Sequence, residues 1–170
     1  MRPAIAGRSA GADTGFKFGK GVRMTETRNR AGGYFYEDLS IGMEDSFAKT
    51  VTDNEIQAFA DLSGDRNPIH LDEKFAASTA FGGRIAHGLL SAAFISTVLG
   101  TKLPGPGAVY ASQTLRFLAP VRIGDEVTAR VRITELNDEK KRVTLNCECV
   151  VGGENVIEGV AIMRVPSRAD

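Results

Sequence analysis

The sequence has two cysteines, two histidines, no net charge and no long uninterrupted apolar run. Each shortage closes off a class of function. Twenty-one basic and 21 acidic residues cancel, so neither a nucleic-acid footprint nor a polybasic membrane surface is expected. The longest apolar stretch, roughly Ile85 to Leu99, is interrupted by His87, Gly88, Ser91, Ser96 and Thr97. It is too short and too polar to span a bilayer. Cys147 and Cys149 stand two apart in a strand-like segment, which puts their side chains on one face. A single Cys-x-Cys is weak evidence for metal, and adjacent strand positions rarely suit a disulfide. Two reduced structural thiols are expected, in keeping with a reducing compartment.

What is present is ordinary globular material. The 170 residues are 42% hydrophobic and 25% charged, enough for one domain with a real core. Residues 1–33 differ from the rest: they carry seven Arg or Lys and only two acidic residues, with no hydrophobic period. This leader is expected to be disordered or mis-assigned, since Met24 offers a second start. A basic, acid-poor segment also fits a mitochondrial transit peptide in principle, whereas a secretory signal would need an apolar region that is missing. The folded domain is expected over residues 34–166.

From Tyr34 the pattern becomes regular. A loop from Phe35 to Met43 precedes a strand from Asp45 to Val51. Thr52 and Glu55 have capping-box spacing, and Ile56, Phe59, Ala60 and Leu62 then suit a short helix ending at Ser63-Gly64. A second short helix is predicted over Asp72 to Ala80. His87 to Leu99 predicts a helix apolar around most of its circumference, hence buried. Strands are predicted over Ala108 to Leu118, around Val127 to Ile133 and Val143 to Val151 by their alternation, and over Val156 to Val165. The fold class is α+β, an antiparallel meander wrapped on one long helix.

Chemistry concentrates between the first and last of these helices. In Ser63-Gly64-Asp65-Arg66-Asn67-Pro68-Ile69-His70 a carboxylate and an imidazole lie five residues apart, with a proline between. That spacing suits a short irregular loop bringing two acid/base groups to one point. His70 has the side chain that titrates nearest neutrality, and a partly buried carboxylate shifts in the same direction. Such a pair can hold one water, remove a proton from it and deliver a proton to a neighbouring carbon. The orphan N–H groups at the helix start, His87-Gly88, would stabilise an oxyanion, and glycine there lets a substrate come close.

Asp65-Arg66-Asn67-Pro68-Ile69-His70-Leu71-Asp72, followed by Phe81-Gly82-Gly83-Arg84-Ile85-Ala86-His87-Gly88, resembles the MaoC-like family of (R)-specific enoyl-CoA hydratases over roughly Phe35 to Val165. The resemblance implies a hot dog fold with an overhang from about Asp53 to Ala80. It implies that Asp65 and His70 activate water and that the Gly88 N–H polarises a thioester carbonyl. Asn67 would orient the pair or simply form the turn before Pro68. His87 would line the thioester channel or make a structural hydrogen bond. Ser96 falls at the family's motif serine near the pair, or is a helix serine bonded to a backbone carbonyl. Arg84 and Lys102 would meet carrier phosphates or remain solvated charges. Leu62, Phe81, Leu90 and Phe94 are candidate acyl liners or plain core.

The activity implied is reversible hydration of a trans-2-enoyl thioester to the (R)-3-hydroxyacyl thioester, without metal, flavin or nicotinamide; Gly82-Gly83 lacks the strand–loop–helix context of a nucleotide site. The partners implied are an acyl-CoA or acyl-carrier-protein thioester and a second copy of the chain, as a homodimer or dimer of dimers, in the cytoplasm. A 3-hydroxyacyl-carrier-protein dehydratase, a hot dog thioesterase and a non-catalytic acyl-thioester binder are the alternatives.

Overall fold

The computed structural model describes residues 28–169. The expectation of a disordered leader therefore lies outside the described residues for positions 1–27. Residues 28–33 already contact the rest of the fold. The Asn29 amide donates to the carbonyl of Pro106 at 2.9 Å, and Arg28 pairs with Tyr34 in an isolated bridge.

Five strands form one antiparallel sheet: β1 (Glu44–Thr50), β2 (Val109–Phe117), β3 (Glu126–Asn137), β4 (Arg142–Val151) and β5 (Glu154–Arg164). Their order is β1-β3-β4-β5-β2. Alternation sets the inner face. Val127, Ala129, Val131 and Ile133 on β3 are buried, as are Val143, Leu145, Cys147 and Cys149 on β4. Register pairs them across the strands, Ala129 with Cys149, Val131 with Cys147 and Ile133 with Leu145. The turn between β4 and β5 requires left-handed backbone at two successive residues, Gly152 (φ 58°) and Gly153 (φ 91°), a conformation that glycine adopts without a Cβ penalty.

The inner face is filled by the long helix α4 (Gly88–Thr101), which buries Leu90, Phe94, Ile95, Val98 and Leu99. Each fully buried aliphatic side chain stabilises the fold by about 1.5–3 kcal/mol relative to exposure. This helix starts one residue later and ends two residues later than expected. It is also not buried all round: Leu89 is 59% exposed, and Ala93, Ser96 and Gly100 lie along the same open side. One sheet covers only one side of a helix.

Between β1 and α4 the chain makes three helices: α1 (Asp53–Ser63), α2 (Pro68–Leu71) and α3 (Glu73–Ala77). The capping box of Thr52 and Glu55 starts α1, and Gly64 (φ 79°) ends it, its N–H donating to the Ala60 carbonyl. The expected helix over 72–80 is shorter, because Asp72 is its N-cap, accepting from the Phe75 N–H, and Ser78 already closes it. The expected irregular loop from Asp65 to His70 is half helical. Pro68 opens α2 and His70 lies within it. Among the described residues no helix is long and apolar enough to cross a membrane.

Candidate active site

The three helices deliver the polar groups, and the start of α4 receives them. After the left-handed turn at Gly64, the Asp65 carboxylate accepts from the Asn67 N–H at 3.2 Å. The Asn67 side chain in turn accepts from the Ile69 N–H at 3.2 Å and caps α2. Asn67 thus shapes the turn that spaces Asp65 from His70. One short turn of helix then swings His70 inward, where it is buried.

Hydrogen bonds fix both imidazoles. Nδ1 of His70 lies 2.8 Å from the Ile85 carbonyl. A carbonyl only accepts, so the neutral ring carries its proton on Nδ1 and keeps a lone pair on Nε2. Burial lowers the pKa of His70 below its ordinary 6.5; the neighbouring His87 adds to this, while the Ile85 bond and the Asp65 charge oppose it. For His87 the assignment is reversed. Its Nε2 lies 2.9 Å from the backbone carbonyl of Asp65, so Nε2 carries the proton and Nδ1 the lone pair. His87 is therefore the structural tie that fastens Asp65 to the start of α4. Its ring lies over His70 with centroids 3.8 Å apart and meets Phe59 at 4.9 Å with the planes tilted by 48°.

One ligating atom each from Asp65, His70 and His87 falls within 4.8 Å of the others. These are metal-ligand types. The two rings lie face to face, with centroids 3.8 Å apart and planes tilted by 32°, and each already has one nitrogen against a backbone carbonyl. That spacing suits a small molecule held by one imidazole and one carboxylate.

These groups open on a cavity of about 660 Å³, whose lining includes Asp65, His70, Phe81, Gly88, Ser91 and Phe117. Gly88 is the first residue of α4, where a backbone N–H has no acceptor within the helix. A Cβ on Gly88 would stand 2.6 Å from Cε1 of Phe117, so glycine lets the Phe117 ring pack directly against the start of α4. The lining joins these polar groups to apolar side chains of Phe59, Phe81 and Leu89 and of the segment from Phe117 to Val121 with Ile157. The site can thus enclose an apolar chain whose polar end meets the carboxylate, the imidazole and the helix start.

Several expected site residues lie elsewhere. Ser96 is exposed on the open side of α4 and does not line the cavity; the serine that does is Ser91. Arg84 does not present its charge outward. Its Nε donates to the His70 carbonyl at 2.6 Å and its terminal nitrogen pairs with Asp53 at 2.5 Å. The guanidinium thereby clasps α2 to the start of α1. Lys102 sits at the opposite end of α4, bonded to Asp45 at 3.3 Å and to the carbonyl of Ser46. Leu62 is exposed, and Leu90 and Phe94 belong to the core. Phe81 alone of the four expected liners faces the cavity. Sequence reasoning missed Phe59, Phe117, Ser91 and the segment from Leu118 to Val121. A weak signal existed in Leu118-Ala119-Pro120, where a proline follows the end of β2 at Phe117 and bars its continuation as a paired strand.

An antiparallel sheet curled along one helix, with an acid/base site at that helix's start, defines a hot dog domain. The MaoC-like domain model matches residues 40–156. A 3-hydroxybutyryl-CoA dehydratase from Methylorubrum extorquens is 53% identical over 80% of this chain and 87% of its own. An (R)-specific enoyl-CoA hydratase from Rhodospirillum rubrum is 55% identical over 79% of this chain and 94% of its own. The solved (R)-hydratase from Aeromonas caviae superposes with a TM-score of 0.74 at 43% identity, covering 76% of this chain and 99% of that one. The chain belongs to the MaoC-like family.

Proposed function

We propose that this protein is an (R)-specific enoyl-CoA hydratase, a hydro-lyase that reversibly adds water to trans-2-enoyl-CoA. The observation that carries the reading is the convergence of Asp65 and His70 in one cavity with the free N–H end of α4. Water is held between the Asp65 carboxylate and the Nε2 lone pair of His70. The Gly88 N–H donates to the thioester carbonyl oxygen. Water oxygen bonds to C3, its proton passes to His70 Nε2, and the double-bond electrons move through C2 to the carbonyl oxygen as an enolate. The imidazolium then returns a proton to C2. Atoms and charge balance, and both additions occur from the face that carries the pair. Low proton affinity suits His70 to this exchange, since a neutral ring is ready at neutral pH. The relatives named above, one a hydratase and one a dehydratase, support the reading from both directions of the same reaction.

The assay is the loss of conjugated-enoyl absorbance with a short trans-2-enoyl-CoA, run beside a free-thiol readout. Asp65→Asn and His70→Gln are each expected to lower the hydration rate by roughly 10²–10⁴-fold with unchanged circular dichroism. Thiol release without hydration would assign a thioesterase instead. Dehydration of carrier-protein thioesters in preference to CoA would move the substrate class, as in the 33% identical mitochondrial 3-hydroxyacyl-carrier-protein dehydratase of tomato.

A homodimer is part of the proposal. β2 is an edge strand, which leaves a row of backbone groups unpaired, and it carries the exposed apolar side chains Val109, Tyr110 and Phe117. A second copy laid along this edge would cover them beside the cavity mouth. Sedimentation at the mass of one chain would remove this element. A reducing, cytoplasmic setting completes the proposal and is supported by Cys147 and Cys149, both free and buried.

A further inference from the structure

Among the described residues, two buried side-chain atoms have no hydrogen-bond partner in the protein: Nδ1 of His87 and Oγ of Ser91. Both residues line the same cavity. They stand one helical turn apart at the start of α4, His87 as N-cap and Ser91 at the fourth helical position, so their side chains share a face. Ser91 is fully buried, and His87 nearly so. Leaving such groups unpaired is costly, and their chemistry is complementary. The Nε2–H bond to Asp65 leaves Nδ1 of His87 as a pure acceptor, while a hydroxyl both donates and accepts.

We propose that Ser91 and His87 hold a second, permanent water that is not consumed in the reaction, and that Ser91 is through it a positioning residue for Asp65. The Ser91 hydroxyl bonds this water, which donates to Nδ1 of His87. Protonation of Nδ1 is thereby disfavoured, and Nε2 keeps the proton it gives to the Asp65 carbonyl. The chain of contacts runs from Ser91 through water and His87 to the backbone of the residue that orients the reacting water. A polar site in a cavity of this size can hold such a water, which needs two or more polar partners. The inference rests on the hydratase reading for its kinetic consequence only; the water and the ring's protonation pattern are independent of it.

The test uses the intact protein with ¹⁵N-labelled histidine and the variants Ser91→Ala and Ser91→Thr. In the wild type, nitrogen shifts should show His87 as a single tautomer protonated on Nε2. Ser91→Ala should introduce a detectable fraction protonated on Nδ1, leave His70 unchanged, and lower kcat about tenfold with little change in KM. Ser91→Thr, which retains the hydroxyl, should restore the single tautomer. A high-resolution crystal structure should place a water within hydrogen-bond distance of both atoms. The proposal is overturned if Ser91→Ala leaves the His87 shifts unaltered, or if Ser91 Oγ and His87 Nδ1 bond to other groups with no shared water. If Ser91→Thr does not fold, the wild-type and alanine spectra still decide. A protein with these spectra but no hydration of any enoyl thioester would sink the activity reading and leave the water site standing.

Discussion

Gly88→Ala separates the fold from the chemistry more cleanly than any other single change in this molecule. The added methyl would stand 2.6 Å and 2.8 Å from Cε1 and Cδ1 of Phe117 and 3.3 Å from Cζ. Ordinary carbon contacts begin near 3.5 Å, so the ring must retreat by about 1 Å. The backbone does not resist the change, because Gly88 is helical and alanine is the better helix former. Within its own chain Phe117 is 54% exposed, so there its ring meets less than the usual ~1–3 kcal/mol cost of overpacking, and the proposed partner contact accounts for the rest of the change. Global stability should therefore change by no more than about 1–2 kcal/mol. The reaction has no such slack. The displaced ring and the new methyl both intrude on the cavity that Gly88 and Phe117 line, and a substrate misplaced by about 1 Å loses on the order of 10²-fold in rate. The expected result is kcat/KM for trans-2-enoyl-CoA lowered about 100-fold at a nearly unchanged urea midpoint. Adding Phe117→Ala removes the clashing ring, and the double variant should recover about tenfold of the loss, a coupling that independent sites would not show. Gly88→Ala hydrating within about threefold of wild type would refute the assignment of the carbonyl to this N–H.

His70 makes the enzyme sensitive to acid. Its folded pKa lies below the ordinary 6.5, so just below that pH the unfolded chain binds more protons than the folded one. The stability tied to the neutral ring is thus present above about 6.5 and is lost as pH falls through the folded value. The acid limb of a kcat/KM profile should have its midpoint below 6.5; a midpoint above it would contradict the burial of the ring. Arg84→Met frees the His70 carbonyl and the half-exposed Asp53, and urea melts should show a loss of about 1–2 kcal/mol after allowance for screening at Asp53. Arg84→Lys should rescue little of it, since an ammonium cannot make both bonds in that geometry. Burial pushes the thiol of Cys147 up to about 11 and that of Cys149 up to about 12. A thiol reagent at pH 8 should therefore label neither in the folded protein and both in urea; rapid native labelling would contradict the packing of β4.

The legible parts of the sequence were those governed by local rules. The capping box at Thr52 and Glu55 placed α1, and alternation placed β3 and β4 on the right faces. The motif brought Asp65, His70 and Gly88 to notice before any geometry was available. What was not legible depended on distant contacts. The helix holding His70 is a single turn, too short to leave a periodicity, and only the pull of Ile85 and Arg84 reveals which way it faces. Ser91 and Ser96 look alike in an apolar run that covers most of the helical circumference. Which one is enclosed depends on where the sheet lies. Arg84 reads as a surface charge until Asp53, 31 residues earlier, is seen beside it. Phe117 was invisible as a site residue because its role is to stand against a glycine 29 positions away.

One stretch of chain from Phe59 to Ser91 supplies every polar side chain of the cavity lining together with the apolar Phe59, Phe81, Ile85 and Leu89, whereas Phe117 to Val121 and Ile157 add a further apolar part from β2 onward. The polar groups are thus encoded in a first segment of the gene, and the second contributes apolar lining alone. A crossover placed between α4 and β2 would inherit the first intact and exchange the second. Chimaeras that swap only the stretch around 117–121 should shift which acyl groups are accepted while the pH dependence set by His70 travels unchanged.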